Sequence, residues 1–127
     1  MIDHVSIHVT DVARARDFYQ AALAPTGYDV IKQYPDAEAP VAVGLGVNGM
    51  PDLWLVQGQP SHSQHVALRG ATRKVVAAFH AAALAAGGKD NGSPGVRAQY
   101  HAAYYGAFVL DLDGHNLEVC CHDPYIE

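Results

Sequence analysis

His4-Val5-Ser6-Ile7 returns as His65-Val66-Ala67-Leu68, and the 61-position spacing between them persists downstream. Phe18 falls on Phe79, Ala21-Ala22-Leu23-Ala24 on Ala82-Ala83-Leu84-Ala85, and Gly27 on Gly88. Matches in one order and one spacing mark an internal duplication. Two alanine-rich helices could resemble each other by composition alone, but the strand before each helix matches as well, histidine included.

Each repeat opens on an alternating segment, Asp3 to Val9 and Gln64 to Arg69, whose period of two predicts a strand. Val5, Ile7 and Val9 share one face and His4, Ser6 and His8 the other. A helix follows in each, over about 11–24 and 72–86. Thr10 or Asp11 caps the first helix, and Val12, Phe18/Tyr19 and Ala22/Leu23 form its buried stripe. Thr72 caps the second, with Val75, Phe79, Ala82/Ala83 and Ala86 as its stripe. Gly27 and Gly88 stand where chain-reversing glycines belong. Strands are expected at Tyr28–Gln33, Val41–Val47 and Leu53–Gln57, then at Tyr104–Leu112 and Asn116–Cys121, the last two hinged on Asp113-Gly114. The stretch 87–98 is weak, full of Gly, Asn and Pro. The pattern is βαβββ twice, an α+β fold. One domain over 1–127 is expected, made of modules 1–58 and 63–127 that pair into one continuous curved mixed sheet.

Composition narrows function. Half of the 127 residues are hydrophobic and 17% are charged, enough apolar surface for a sizeable core. Eight basic against thirteen acidic residues give a net charge of −5 without a Lys/Arg cluster, which argues against a nucleic-acid or anionic-membrane surface. Apolar runs fall short of the roughly 18–20 residues that cross a bilayer. Asp3 and His4 interrupt the start, so no signal peptide is expected and a cytoplasmic location is. Cys120 and Cys121 are adjacent, which excludes a disulfide scaffold and leaves them as buried thiols.

Eight histidines are many for this length. His4 and His65 occupy equivalent places in the repeats, each on the strand face turned away from its helix. Glu118, flanked by Leu117 and Val119, is an acid inside an apolar strand, costly to bury unless paired or coordinated. Two imidazoles and a carboxylate make a set suited to Fe(II), Mn(II) or Zn(II). A histidine at a strand start can equally be an ordinary, satisfied polar residue.

The stretch from His4 to Asp11, followed by Phe18-Tyr19, resembles the opening of the vicinal oxygen chelate superfamily, which includes glyoxalases, extradiol dioxygenases and bleomycin-resistance proteins. His65-Val66-Ala67-Leu68 is similar to its second ligand strand, and the segment from Ala107 to Glu118 to its closing hairpin. The resemblance covers essentially the whole chain. It implies the paired βαβββ fold, a homodimer, and one divalent ion (Fe, Mn, Zn, Ni or Mg) held by His4, His65 and Glu118. Bacterial glyoxalase I adds a fourth ligand, a glutamate. Here Asp52 and Gln57 compete for that place on opposite strand faces, and neither is a glutamate.

The expected function is a metal-dependent enzyme acting on a small substrate with adjacent oxygens, by isomerase, lyase or dioxygenase chemistry. The alternative is a non-catalytic protein that sequesters a small molecule or antibiotic. His8, His101 and Tyr105 are candidate catalytic groups, although His8 can merely neighbour the ligands. Tyr104 and Tyr105 point to opposite faces, so at most one meets the site; edge packing is the other reading of the His101, Tyr104 and Tyr105 cluster. Trp54 suits a pocket wall or the core. Arg69 is a clamp for a carboxylate or phosphate, or a solvated strand end.

Overall fold

The computed structural model describes residues 1–36 and 38–122. In chain order the elements are β1 (Val5–Val9), α1 (Val12–Leu23), β2 (Asp29–Tyr34), β3 (Ala42–Val47), β4 (Met50–Gln57), β5 (His65–Arg69), α2 (Arg73–Ala85), β6 (Lys89–Val96), β7 (Tyr105–Leu110) and β8 (Asn116–Cys121). Asp11 caps α1 by accepting the Arg14 N–H at 3.1 Å, and Thr72 caps α2 by accepting that of Val75 at 3.2 Å. No helix among the described residues is long and apolar enough to cross a membrane.

The strand order is β1-β4-β3-β2 in one sheet and β5-β8-β7-β6 in the other. In each half the first and last strands run parallel and the rest antiparallel, so the two halves carry the same βαβββ pattern. The fold is α+β, as its sequence predicts. β6 fills the stretch whose strand signal is weak in the sequence and which the βαβββ repeat requires to be a strand. It is an edge strand, and its ladder with β7 slips around Gly92. Proline and glycine are tolerated there because one side of the strand owes no hydrogen bonds. The start of β6 is tied to α2 by His80 Nε2 and Asp90 at 2.9 Å. That bond, helped by the Gly92 N–H, holds the Asp90 carboxyl below the usual carboxylate range.

The expected single hydrogen-bonded sheet is instead two sheets, with no ladder between β1 and β5. The helices explain this. α1 buries Val12, Ala15, Phe18, Tyr19, Ala22 and Leu23, a stripe wider than its own sheet covers, and it packs on α2 as well. Ala22 of α1 and Ala83 of α2 are both fully buried. One apolar cluster therefore runs through both halves, from Val43 and Leu55 to Val109 and Val119. The β7–β8 hairpin strengthens the join by reaching the β1–α1 junction. Thr10 Oγ1 donates to Asp113 at 2.7 Å and Tyr19 to Asp111 at 2.5 Å. The buried His115 accepts the Gln64 N–H at Nδ1 (3.0 Å), so Nε2 carries the proton and donates to the His8 carbonyl at 2.8 Å. Because the helix-facing sides make the core, the opposite sheet faces are left open.

Candidate functional site: the open face of the second sheet

Strand alternation divides β8 cleanly. Leu117, Val119 and Cys121 join the core, while Asn116, Glu118 and Cys120 take the other face. Alternation on β5 likewise sends Val66 and Leu68 inward and leaves His65, Ala67 and Arg69 on that same open face. In register, Ala67 pairs with Glu118 and Phe108 of β7 lies on the far side of it. Glu118 is only 2% exposed, although it is on an open face, because neighbouring side chains cover it. His65 Nε2 meets its Oε1 at 2.7 Å, and the Phe108 ring stands 6.2 Å from the His65 ring. The Tyr104 hydroxyl donates to Oε2. Burial, then bonds to Cys120 and Glu118, push the Tyr104 phenol well above its ordinary value, so it keeps its proton and remains a donor. Gly106 leaves room beside this contact. A Cβ there would lie 3.2 Å from the Tyr104 ring and 3.3 Å from Glu118 Oε2.

The residues singled out in the sequence divide into those that meet and those that do not. His65 and Glu118 meet. His4 lies at the head of β1, its side chain 51% exposed, with Nδ1 on Asp3 at 2.7 Å. Among the described residues, no three His, Cys, Asp or Glu side chains converge as a metal site would require. His65 Nε2 and Glu118 Oε1, 2.7 Å apart, are hydrogen-bonded to each other; both are donor types that divalent ions take, and holding one between them would need the pair to part to roughly 3 Å or more. One chain thus brings His65 and Glu118 together and leaves His4 outside the pair. His8 borders a cavity of about 260 Å³ with Ser6, Pro60, His62, Gln64 and His115. His101 bonds to His122, Nε2 to Nδ1 at 2.6 Å, rather than to the carboxylate. Tyr105 packs against the core beneath the Arg73 guanidinium at 4.9 Å, so the tyrosine that reaches Glu118 is Tyr104. Arg69 is exposed opposite Cys120. Tyr104 and Phe108 carried a usable signal: counted outward from the Asp113-Gly114 turn, Phe108 falls opposite Glu118, and Tyr104 shares its parity.

The register also answers the question of the fourth position. Ser6 and Ala67 are repeat equivalents; Ser6 pairs with Trp54 as Ala67 pairs with Glu118. Trp54, not Asp52 or Gln57, stands in the first half where Glu118 stands in the second. Asp52 accepts the Tyr28 hydroxyl at 2.7 Å, and Gln57 donates to the Thr10 carbonyl at 2.7 Å. The indole lies across Gly44, where a Cβ would come within 2.8 Å of it, and stacks on Tyr34 at 6.0 Å and 17°. Indole has only an N–H donor and cannot ligate a cation through it.

Residues 1–119 match the profile of the Glyoxalase/Bleomycin resistance protein/Dioxygenase superfamily, and the chain belongs to that family. No curated protein matches it. Among solved structures it is similar to a glyoxalase/bleomycin resistance protein from Albidiferax ferrireducens T118, with 21% identity, a TM-score of 0.76, and 93% of this chain and 95% of that one covered. TioX from Micromonospora sp. ML1 is similar at 19% identity and a TM-score of 0.71, covering 94% and 96%. A glyoxalase-related enzyme from Fulvimarina pelagi is similar at 17% and 0.69, covering 95% and 87%. At these identities the likeness is one of fold.

Proposed function

We propose that the chain is a metal-dependent enzyme of the vicinal oxygen chelate type, acting as a homodimer on a small substrate with two adjacent oxygens. The observation that supports this most is the Glu118 carboxylate, buried on an otherwise open sheet face with His65 against it. Keeping an acid there is costly unless it is paired, and His65 and Tyr104 supply that pairing; the imidazole and the carboxylate are both groups that can turn to a cation. His4, the repeat equivalent of His65, is the third donor in this reading and comes from a second chain. A bound divalent ion would supply Lewis acidity, stabilising an oxyanion on the substrate during isomerase, lyase or dioxygenase chemistry. The chain's own residues do the rest. The His65 and Phe108 rings keep water from Glu118, and Trp54 offers a flat apolar wall. Arg69, on the His65 face, is placed to meet a carboxylate or phosphate on the substrate.

Metal analysis of protein purified without chelator or polyhistidine tag should give about one divalent ion per chain. Binding should weaken as pH falls, because protons compete for the imidazole nitrogens. Glu118→Gln or His65→Ala should abolish it while the fold persists. Mixing His4→Ala chains with Glu118→Gln chains should restore about a quarter of wild-type metal capacity, since half the dimers are mixed and each has one intact site. No recovery would overturn a site shared between chains.

Trp54 favours a second reading. An indole stacked on Tyr34 in the place of an acid suits a protein that sequesters a flat ligand without chemistry. Metal-free protein that still binds a small aromatic molecule, with no turnover in a screen of vicinal-oxygen compounds, would select it.

A further inference from the structure

We infer that Tyr104 is a positioning residue of the proposed site: its hydroxyl engages Oε2 of Glu118, so that the carboxylate presents only Oε1 beside His65. This rests on the reading of Glu118 as a ligand. The two carboxylate oxygens have different partners, His65 Nε2 on Oε1 and the phenol on Oε2. A carboxylate with both oxygens free can turn about its last bond and offer one or two of them; one pinned by a phenol offers one.

Tyr104 is itself held on several sides. Its N–H donates to the His101 carbonyl at 3.1 Å, and its own carbonyl accepts the Arg97 N–H at 2.8 Å. The edges of Tyr100, His101 and His122 surround its ring with centroids 4.9, 5.5 and 5.2 Å away. The His101–His122 bond ties the 97–104 turn to the residue that follows β8. The head-on N···N distance of 2.6 Å, the near-parallel rings and their 4.9 Å separation describe a hydrogen bond between imidazoles facing each other in line. The turn between β6 and β7 therefore acts as a bracket whose contact with the carboxylate is the Tyr104 hydroxyl. Residues that orient a metal ligand from outside typically change metal affinity by about 10–100-fold when removed.

The test titrates Co(II) into wild-type dimer, Tyr104→Phe, Gly106→Ala and Tyr100→Phe, following heat and visible absorption. Tyr104→Phe removes one oxygen and keeps the ring, so the fold should persist. Gly106→Ala adds a methyl group 3.2 Å from the Tyr104 ring and 3.3 Å from Glu118 Oε2, so that one of the two must shift by a few tenths of an ångström. Both should weaken Co(II) binding about 10–100-fold and change the shape of the Co(II) absorption, as a carboxylate free to use two oxygens alters the coordination. Tyr100→Phe, which keeps its ring edge on Tyr104, should match wild type in both readouts. Wild-type binding with unchanged affinity and spectrum in Tyr104→Phe, or in Gly106→Ala should Tyr104→Phe not fold, would overturn the inference and leave the proposed function standing. Absence of Co(II) binding by wild type would overturn both.

Discussion

Asp111→Ala is expected to cost about 3–5 kcal/mol of folding stability, measured by urea unfolding. Asp111 is 6% exposed, and its carboxylate does three things. Oδ2 accepts the Tyr19 hydroxyl at 2.5 Å, while Oδ1 accepts the backbone N–H of Asp113 at 2.9 Å and of His115 at 2.8 Å. One side chain therefore closes the β7–β8 turn and fastens it to α1 of the other half. Each hydrogen bond to a charged group contributes roughly 1.5–3 kcal/mol, and the bonds share an acceptor, so the loss is less than their sum. Alanine would also leave the Tyr19 hydroxyl, 1% exposed, without that acceptor. A loss under about 1 kcal/mol would contradict the account.

The same pair sets a pH dependence. Burial first, then the charge and hydrogen bond of Asp111, raise the Tyr19 phenol well above its ordinary value. A group whose folded value is raised contributes its stability fully below the unfolded value of about 10 and loses it as pH climbs toward the folded one. Stability should therefore fall above pH ~10, with Tyr19 adding up to about 1.4 kcal/mol per pH unit. Tyr19→Phe should remove that part of the slope.

Gly46→Ala should cost about 3 kcal/mol or more, by a different route. A Cβ on Gly46 would lie 1.9 Å from the Met50 carbonyl oxygen and 2.8 Å from its carbon. Both obstacles are backbone, and no rotamer change relieves them. The β3–β4 ladder shifts at this point, with Leu45 opposite Leu53 but Gly46 opposite Pro51, so relief means breaking the hairpin that carries Trp54. Gly49 is the control. It has φ of 74° and open space around it, so alanine there meets only the strain of a left-handed backbone, about 1 kcal/mol. Equal losses at the two glycines would show that the hairpin absorbs the clash.

Much of this architecture was legible because its causes are local. The caps, at Thr72 and at Thr10 or Asp11, and the alternation of β1, β5 and β8 depend on neighbours in sequence, and the 61-residue repeat shows them twice. β6 was legible only through the βαβββ repeat and not from its own residues, because its edge pairing with β7 outweighs the poor strand propensity of Gly92, Pro94 and Gly95. The separation into two sheets was not legible either. Alternation tells which face of a strand is apolar but not which helix will also compete for it. The fourth position failed for an arithmetic reason. The repeat spacing is 61 at the first strands but 64 from Trp54 to Glu118, because the second half has gained three residues on the way. At the site, strand parity placed Glu118 and His65 on one face. His4 stays apart from them within the chain, and neither parity nor spacing encodes that separation.

Trp54 is the chain's only tryptophan. Its indole rests on Gly44 beside Tyr34, on the sheet that does not carry Glu118. Ultraviolet emission excited at the red edge of the tyrosine band therefore comes from one place in each chain. If a second chain brings its Glu118 face over this sheet, metal loading would register in that emission although the indole belongs to the other chain. The protein carries its own optical probe of whether its two kinds of face meet.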